Sequence, residues 1–83
     1  MYQAVILEKA RKSLKGIPKS WQIRIYQKIK ELQKNPFVGK KLRGKFRQCY
    51  SVRVWPYRII YQIYKKQLII VIIKIGHRGE VYR

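Results

Sequence analysis

Apolar and polar positions change period twice along the chain, and the changes mark its elements. Residues 2–7 open extended, with Val5 and Leu7 on one face and Ala4 and Ile6 on the other. Residues 8–15 read as a short helix that stops at Gly16. Pro18 then suits the first turn of a second helix, with Ser20 as an alternative cap. Trp21, Ile25, Ile29 and Leu32 form one stripe at helical spacing, which carries that helix to about Lys34 and ends it at Asn35-Pro36. Arg24, Lys28, Lys30 and Lys34 fall off the stripe, as a solvated face or as contacts to RNA phosphate.

Residues 37–46 hold Gly39, Gly44 and four basic residues and read as a loop. From Arg47 the period is two. Tyr50, Val52 and Val54 share one face, and Cys49, Ser51 and Arg53 share the other. Trp55-Pro56 makes a turn, because proline cannot donate to a central ladder. Residues 57–64 are a second strand, Lys65-Lys66 a hairpin turn, and residues 67–75 a third strand. That last strand is apolar on both faces, which predicts a central position.

The expected fold is therefore one α+β domain over residues 1–83. A short N-terminal strand and two helices precede a three- to four-stranded, mainly antiparallel sheet. The helices cover one face and leave the other partly open. Strand parity puts Arg53 and Arg58 together on that open face, and Arg78 follows the last strand toward the same place. Guanidinium forks bind two phosphate oxygens at once and stay charged. The alternative is three separately solvated arginines, which shared parity disfavours.

Charge narrows the partner. Twenty-one Lys and Arg face three acids, a formal net charge of +18. Such a balance costs stability through self-repulsion and points to a polyanion: nucleic acid, an anionic membrane or an acidic protein. The longest apolar run, residues 68–73, is far short of a bilayer span, and no signal peptide is visible, so a soluble cytoplasmic protein is expected. A domain this small is expected to be marginally stable alone.

The segment Gly76-His77-Arg78-Gly79-Glu80-Val81-Tyr82 adds candidate chemistry. His77, the single histidine, is the natural proton carrier for RNA cleavage, or else a capping or packed residue. Tyr82, four residues after Arg78, can return to the same pocket. Glu80 is a possible base or a salt-bridge partner, and Cys49 a packed strand residue. One histidine and one cysteine make no usual metal site, so neither metal nor cofactor is expected. Neither a P-loop nor a serine-nucleophile motif occurs.

Lys41-Leu42-Arg43-Gly44, Tyr50-Ser51-Val52-Arg53-Val54, Tyr57-Arg58-Ile59-Ile60-Tyr61 and Ile75-Gly76-His77-Arg78 with Val81-Tyr82 together resemble the RelE/ParE toxin superfamily, above all its RelE-like mRNA endonuclease branch. The resemblance spans essentially the whole chain. It implies the toxin of a type II toxin–antitoxin system that cuts mRNA in the ribosomal A site by attack of the 2′-hydroxyl on the adjacent phosphate. Arg58 would hold the scissile phosphate, and Arg78 would stabilise charge or protonate the leaving oxygen. Tyr82 would stack on the base and orient the nucleophile. Arg53 stands where the family often has a lysine acting on the phosphate or as a base. Arg43 would join the basic surface, with Lys41, Lys45, Arg47 and Lys74 as further RNA contacts.

The chain departs from the best-known pattern at Ser51, where a second catalytic lysine can occur, and at His77, where a lysine can precede the tail arginine. Both changes would shift proton transfer toward His77. The implied partners are the ribosome, mRNA and a cognate antitoxin that is acidic where it meets this surface. Two other readings are a ParE-like inhibitor of DNA gyrase, which does not need the phosphate-site residues, and a non-enzymatic basic module. A membrane-active peptide fits poorly, since the second helix is short and its stripe core-like.

Overall fold

A computed structural model describes residues 1–82 of the chain; Arg83 lies outside them. β1 (Gln3–Ile6), α1 (Glu8–Lys15) and α2 (Lys19–Lys34) lead into a 3₁₀ turn, Pro36–Val38. A two-residue strand β2 (Lys40–Lys41) and a second 3₁₀ turn, Gly44–Phe46, follow. β3 (Tyr50–Val54), β4 (Tyr57–Tyr64) and β5 (Ile69–His77) complete the chain. The strands form one sheet in the order β1-β5-β4-β3-β2. β1 runs parallel to β5 and every other pairing is antiparallel.

Local signals set the helices. Glu8 lies in the first turn of α1 and Lys12 and Lys15 in its last, both matching the helix dipole. The Gly16 N–H closes that end on the Leu14 and Ser13 carbonyls. Pro18 is the N-cap of α2 rather than its first helical residue, and Ser20 lies inside the helix without capping it. At the far end Asn35 stops α2 and its side chain accepts from the Phe37 N–H at 3.2 Å, opening the 3₁₀ turn.

Both helices bury one stripe on the sheet. Ile25 and Leu32 of α2 and Leu14 of α1 meet Ile59, Tyr61, Ile70 and Ile72, all essentially inaccessible. Each such side chain stabilises the fold by roughly 1.5–3 kcal/mol relative to exposure. Trp21 meets Tyr57 edge-on, with ring centroids 5.9 Å apart. Tyr61 lies across the end of this core and donates to the Pro36 carbonyl at 2.6 Å. Burial pushes its hydroxyl pKa up to about 12, so it stays protonated and donating across the neutral range.

Three features depart from the sequence reading. The sheet has five strands because Lys40 and Lys41 pair with Ser51 and Tyr50. β4, not β5, is the geometric centre, although β5 is interior and flanked by β1 and β4. β5 also runs two residues later than expected. Within it the pairing slips: Ile60 faces Lys74 while Tyr61 faces Ile72. Ile73 is thereby left as a bulge, and both Ile73 and Lys74 lie toward the open face.

Candidate active site

The open face is roofed at one end by its own small apolar cluster. Cys49, Ile60 and Val81 are buried there, with Leu42, Phe46 and Ile73 packed against them. Val81 is what folds the tail back. Its N–H and that of Glu80 donate to the His77 carbonyl, which turns the chain over the sheet. Gly76 lies beneath, and an added Cβ would stand 3.3 Å from a Val81 methyl.

That turn delivers Tyr82 to Ser51. Their oxygens are 3.2 Å apart, and Arg58 Nη1 donates to the same Ser51 hydroxyl at 3.1 Å. Ser51 is buried, Arg58 half-buried and Tyr82 partly exposed. A serine that accepts from a guanidinium keeps its own proton free for the tyrosine oxygen. One small hydroxyl thus fixes a cation and a phenol in a single arrangement. The Tyr82 ring also meets Phe46 edge-on at 6.0 Å. Lys45 and Lys74 stand over that Phe46 ring, with Nζ 5.8 and 5.4 Å from its centroid.

Arg53 lies directly opposite Arg58 in the β3–β4 register, so the two guanidinium groups share this face. Like charges directly opposite on a sheet repel. The Arg78 N–H donates to the Pro56 carbonyl at 3.2 Å, which ties the tail to the β3–β4 turn at the same end. Lys41, Arg43 and Arg47 line an adjoining open groove with Leu42 and Gly44. The face as a whole is cationic.

His77 is elsewhere. It pairs opposite Tyr57, whose side chain belongs to the helix-side core, so parity turns the imidazole away from Arg58. Its ring packs on Tyr57 with centroids 4.9 Å apart. The side chain is otherwise exposed, and the register of β5 is the reason that it meets Tyr57. Glu80 lies in the tail turn, in a cleft of about 220 Å³ shared with Lys9 and Ser13 of α1. Cys49 is buried and accepts from Gln62 at 3.8 Å.

Two residues of the cluster were not singled out by sequence as working parts. Ser51 stood only as a departure from a lysine; a serine at an inward position of the open face was the available signal. Phe46 had no periodicity to mark it, since it lies in an irregular segment. Ser51→Ala is expected to release Arg58 and Tyr82 from their shared partner at a cost of about 1 kcal/mol in stability, which denaturant unfolding would check.

Comparison with known proteins agrees with the fold. A family profile for the ParE toxin of type II toxin–antitoxin systems, parDE, matches residues 5–82. A RelE-like toxin protein of Escherichia coli is 34% identical over 86 residues, covering 98% of this chain and 90% of that one. The isolated E. coli RelE toxin superposes with a TM-score of 0.82 at 26% identity, over 99% of this chain and 92% of the other. The RelBE2 toxin–antitoxin complex of Mycobacterium tuberculosis gives 0.86 at 28% identity, over 93% and 98%. An α+β domain of this element order, related at this level, is a toxin of the type II toxin–antitoxin class. Within that class the chain belongs to the RelE/ParE superfamily, in its RelE-like branch.

Proposed function

We infer that the chain is a ribosome-dependent mRNA endonuclease, and one observation carries this: the Ser51-centred junction of Arg58 and Tyr82 on an open cationic face. RNA brings its own nucleophile. The 2′-hydroxyl attacks the neighbouring phosphorus, the P–O5′ bond breaks, and the products are a 2′,3′-cyclic phosphate and a free 5′-hydroxyl. The proton of the 2′-hydroxyl leaves as the bond forms, and the departing 5′-oxygen gains one.

Arg58, with Arg53 beside it, would hold the scissile phosphate and take up the charge that grows on its oxygens. Tyr82 would stack on the base and set the 2′-hydroxyl in line with the leaving oxygen. Arg78, tied to Pro56 at the same end, would face the leaving group. None of the three joined side chains is a carboxylate or imidazole, and the β5 register sets His77 against Tyr57, so in this reading the histidine would not carry the proton. The reaction then rests on orientation and charge, which fits an enzyme that needs the ribosome to position its substrate.

The partners follow from the same surface: ribosomal RNA and mRNA for the cationic face, and an antitoxin with acidic contacts to cover it. The RelBE2 structure and that of the Pyrococcus horikoshii RelE–RelB complex are both toxin–antitoxin assemblies. No helix among the described residues is long and apolar enough to cross a membrane.

Primer extension on mRNA incubated with purified protein, with and without programmed ribosomes, tests the reading. The expected result is cutting within the A-site codon only when ribosomes are present. Intact mRNA in both conditions would overturn it and make DNA gyrase the next target to assay.

A further inference from the structure

Beside Ser51, toward the Tyr64 end of β4, lies a second group of aromatic and cationic side chains. Phe37, Tyr50 and Tyr64, with Lys41, Arg47 and Lys65, line an open cleft of about 290 Å³. Phe37 and Tyr64 are 44% and 45% exposed, which is high for rings beside a core that buries Tyr61 completely. Phe37 meets Tyr50 edge-on at 6.3 Å, and Tyr50 stacks on Tyr61 at 5.7 Å, so this wall of the cleft is anchored in the core. Lys65 stands 5.3 Å from the Phe37 centroid and Lys41 6.0 Å from that of Tyr50.

Tyr64 is different. Its hydroxyl donates to the Gln62 side-chain carbonyl at 2.7 Å, which fixes the ring, yet among the described residues no aromatic or cationic group covers its faces. A held, half-exposed ring with no aromatic or cationic partner, beside cations, is what a nucleobase and its phosphate require.

The cleft is also continuous with the candidate active site. Lys41 and Arg47 line both it and the adjoining groove of Arg43 and Gly44, and that groove leads to the Gly44–Phe46 turn that supports Tyr82. Tyr64 is six residue steps along β4 from Arg58, roughly 20 Å at about 3.3 Å per residue. Several nucleotides of single-stranded RNA span that distance.

We propose that this cleft is a second RNA subsite, in which an unpaired base several nucleotides from the scissile phosphate stacks on Tyr64 and Phe37 while Lys41, Arg47 and Lys65 hold its backbone. The proposal rests on the RNA reading of the chain and extends it, because it makes the protein itself, and not the ribosome alone, a holder of mRNA beyond the cut. It also gives the strongly basic segment between Lys40 and Arg47 a directional role: a track from one stacking ring, Tyr82, to another, Tyr64. An acidic protein segment is the competing occupant, but it would use the cations and leave the uncovered ring faces without purpose.

The test is equilibrium binding of fluorescently labelled single-stranded RNA to the full chain, with 2′-O-methyl riboses to remove the nucleophile. Wild type is compared with Tyr64→Leu and with the Phe37→Leu/Tyr64→Leu pair, on a ~12-nucleotide RNA and on a ~4-nucleotide one. The double variant should bind the longer RNA about tenfold more weakly and the shorter one with little change. Equal affinity of wild type and variants for the longer RNA would overturn the subsite and leave the nuclease reading standing. So would variants that lose affinity for an acidic antitoxin and keep it for RNA. A wild type that binds neither RNA would overturn the subsite, while the nuclease reading would stand or fall on primer extension with programmed ribosomes. Thermal unfolding accompanies each variant. Should the pair fail to fold, Tyr64→Leu decides alone, since its side chain is nearly half exposed and lies outside the buried core.

Discussion

Arg58→Ala should lower ribosome-dependent mRNA cleavage by about 10²–10³-fold and leave stability within about 1 kcal/mol, the lost bond to Ser51 being offset by relief of the repulsion from Arg53. The two effects have one origin. Arg58 is half-buried, fixed by Ser51 and set directly opposite Arg53. Two like charges in that position cost the folded chain about 0.2–1 kcal/mol, which returns when one is removed. A residue placed for folding shows the reverse: truncation lowers stability and any loss of activity follows from unfolding. Arg58→Lys separates charge from shape. It keeps a cation near the phosphate but loses the planar fork and the bond to Ser51, so it should recover only part of the rate. Single-turnover cleavage on programmed ribosomes, read beside denaturant midpoints, measures both effects. A rate unchanged in Arg58→Ala would mean that the phosphate is held elsewhere.

The second large effect is expected on stability. Gly39→Ala should destabilise the fold by about 1–3 kcal/mol. A Cβ at position 39 would overlap the Tyr61 hydroxyl and stand 3.1 Å from the Ser51 carbonyl. Neither neighbour yields easily. Tyr61 is wholly buried and bonded to Pro36, and the Ser51 carbonyl is main chain within β3. Tyr61→Phe removes the atom that the new methyl meets, at the cost of leaving the Pro36 carbonyl without its donor, itself about 1–3 kcal/mol. The double variant should therefore be more stable than the sum of the two single changes implies, and a double-mutant cycle by denaturant unfolding reads that coupling. Strict additivity would show that the 37–41 segment moves aside freely.

Much of this architecture was legible in the chain because its signals are local. The apolar stripe from Trp21 to Leu32 and the stops at Gly16 and Asn35 fixed both helices within a residue or so. Period-two alternation placed β3 and β4, and with them the shared face of Arg53 and Arg58. What the sequence hid depends on neighbours distant along the chain. Lys40 and Lys41 look like loop, and become a strand only because β3 offers an edge. The last strand, apolar on both faces, carries no parity signal, so neither its two-residue shift nor the bulge at Ile73 could be read. Those two features decide that His77 meets Tyr57 and not Arg58. Ser51 was visible as a residue but not as a junction, since its importance lies in what two side chains, from β4 and the tail, do with one hydroxyl.

The imbalance of 21 cations against three acids has a consequence for how the chain responds to dissolved salt. Added ions screen the repulsion among neighbours such as Arg53 and Arg58 and so favour the compact state. The same ions compete for RNA phosphates and weaken binding steeply. Ionic strength thus moves folding and recognition in opposite directions, and the conditions in which this protein is sturdiest are those in which its grip on RNA is weakest.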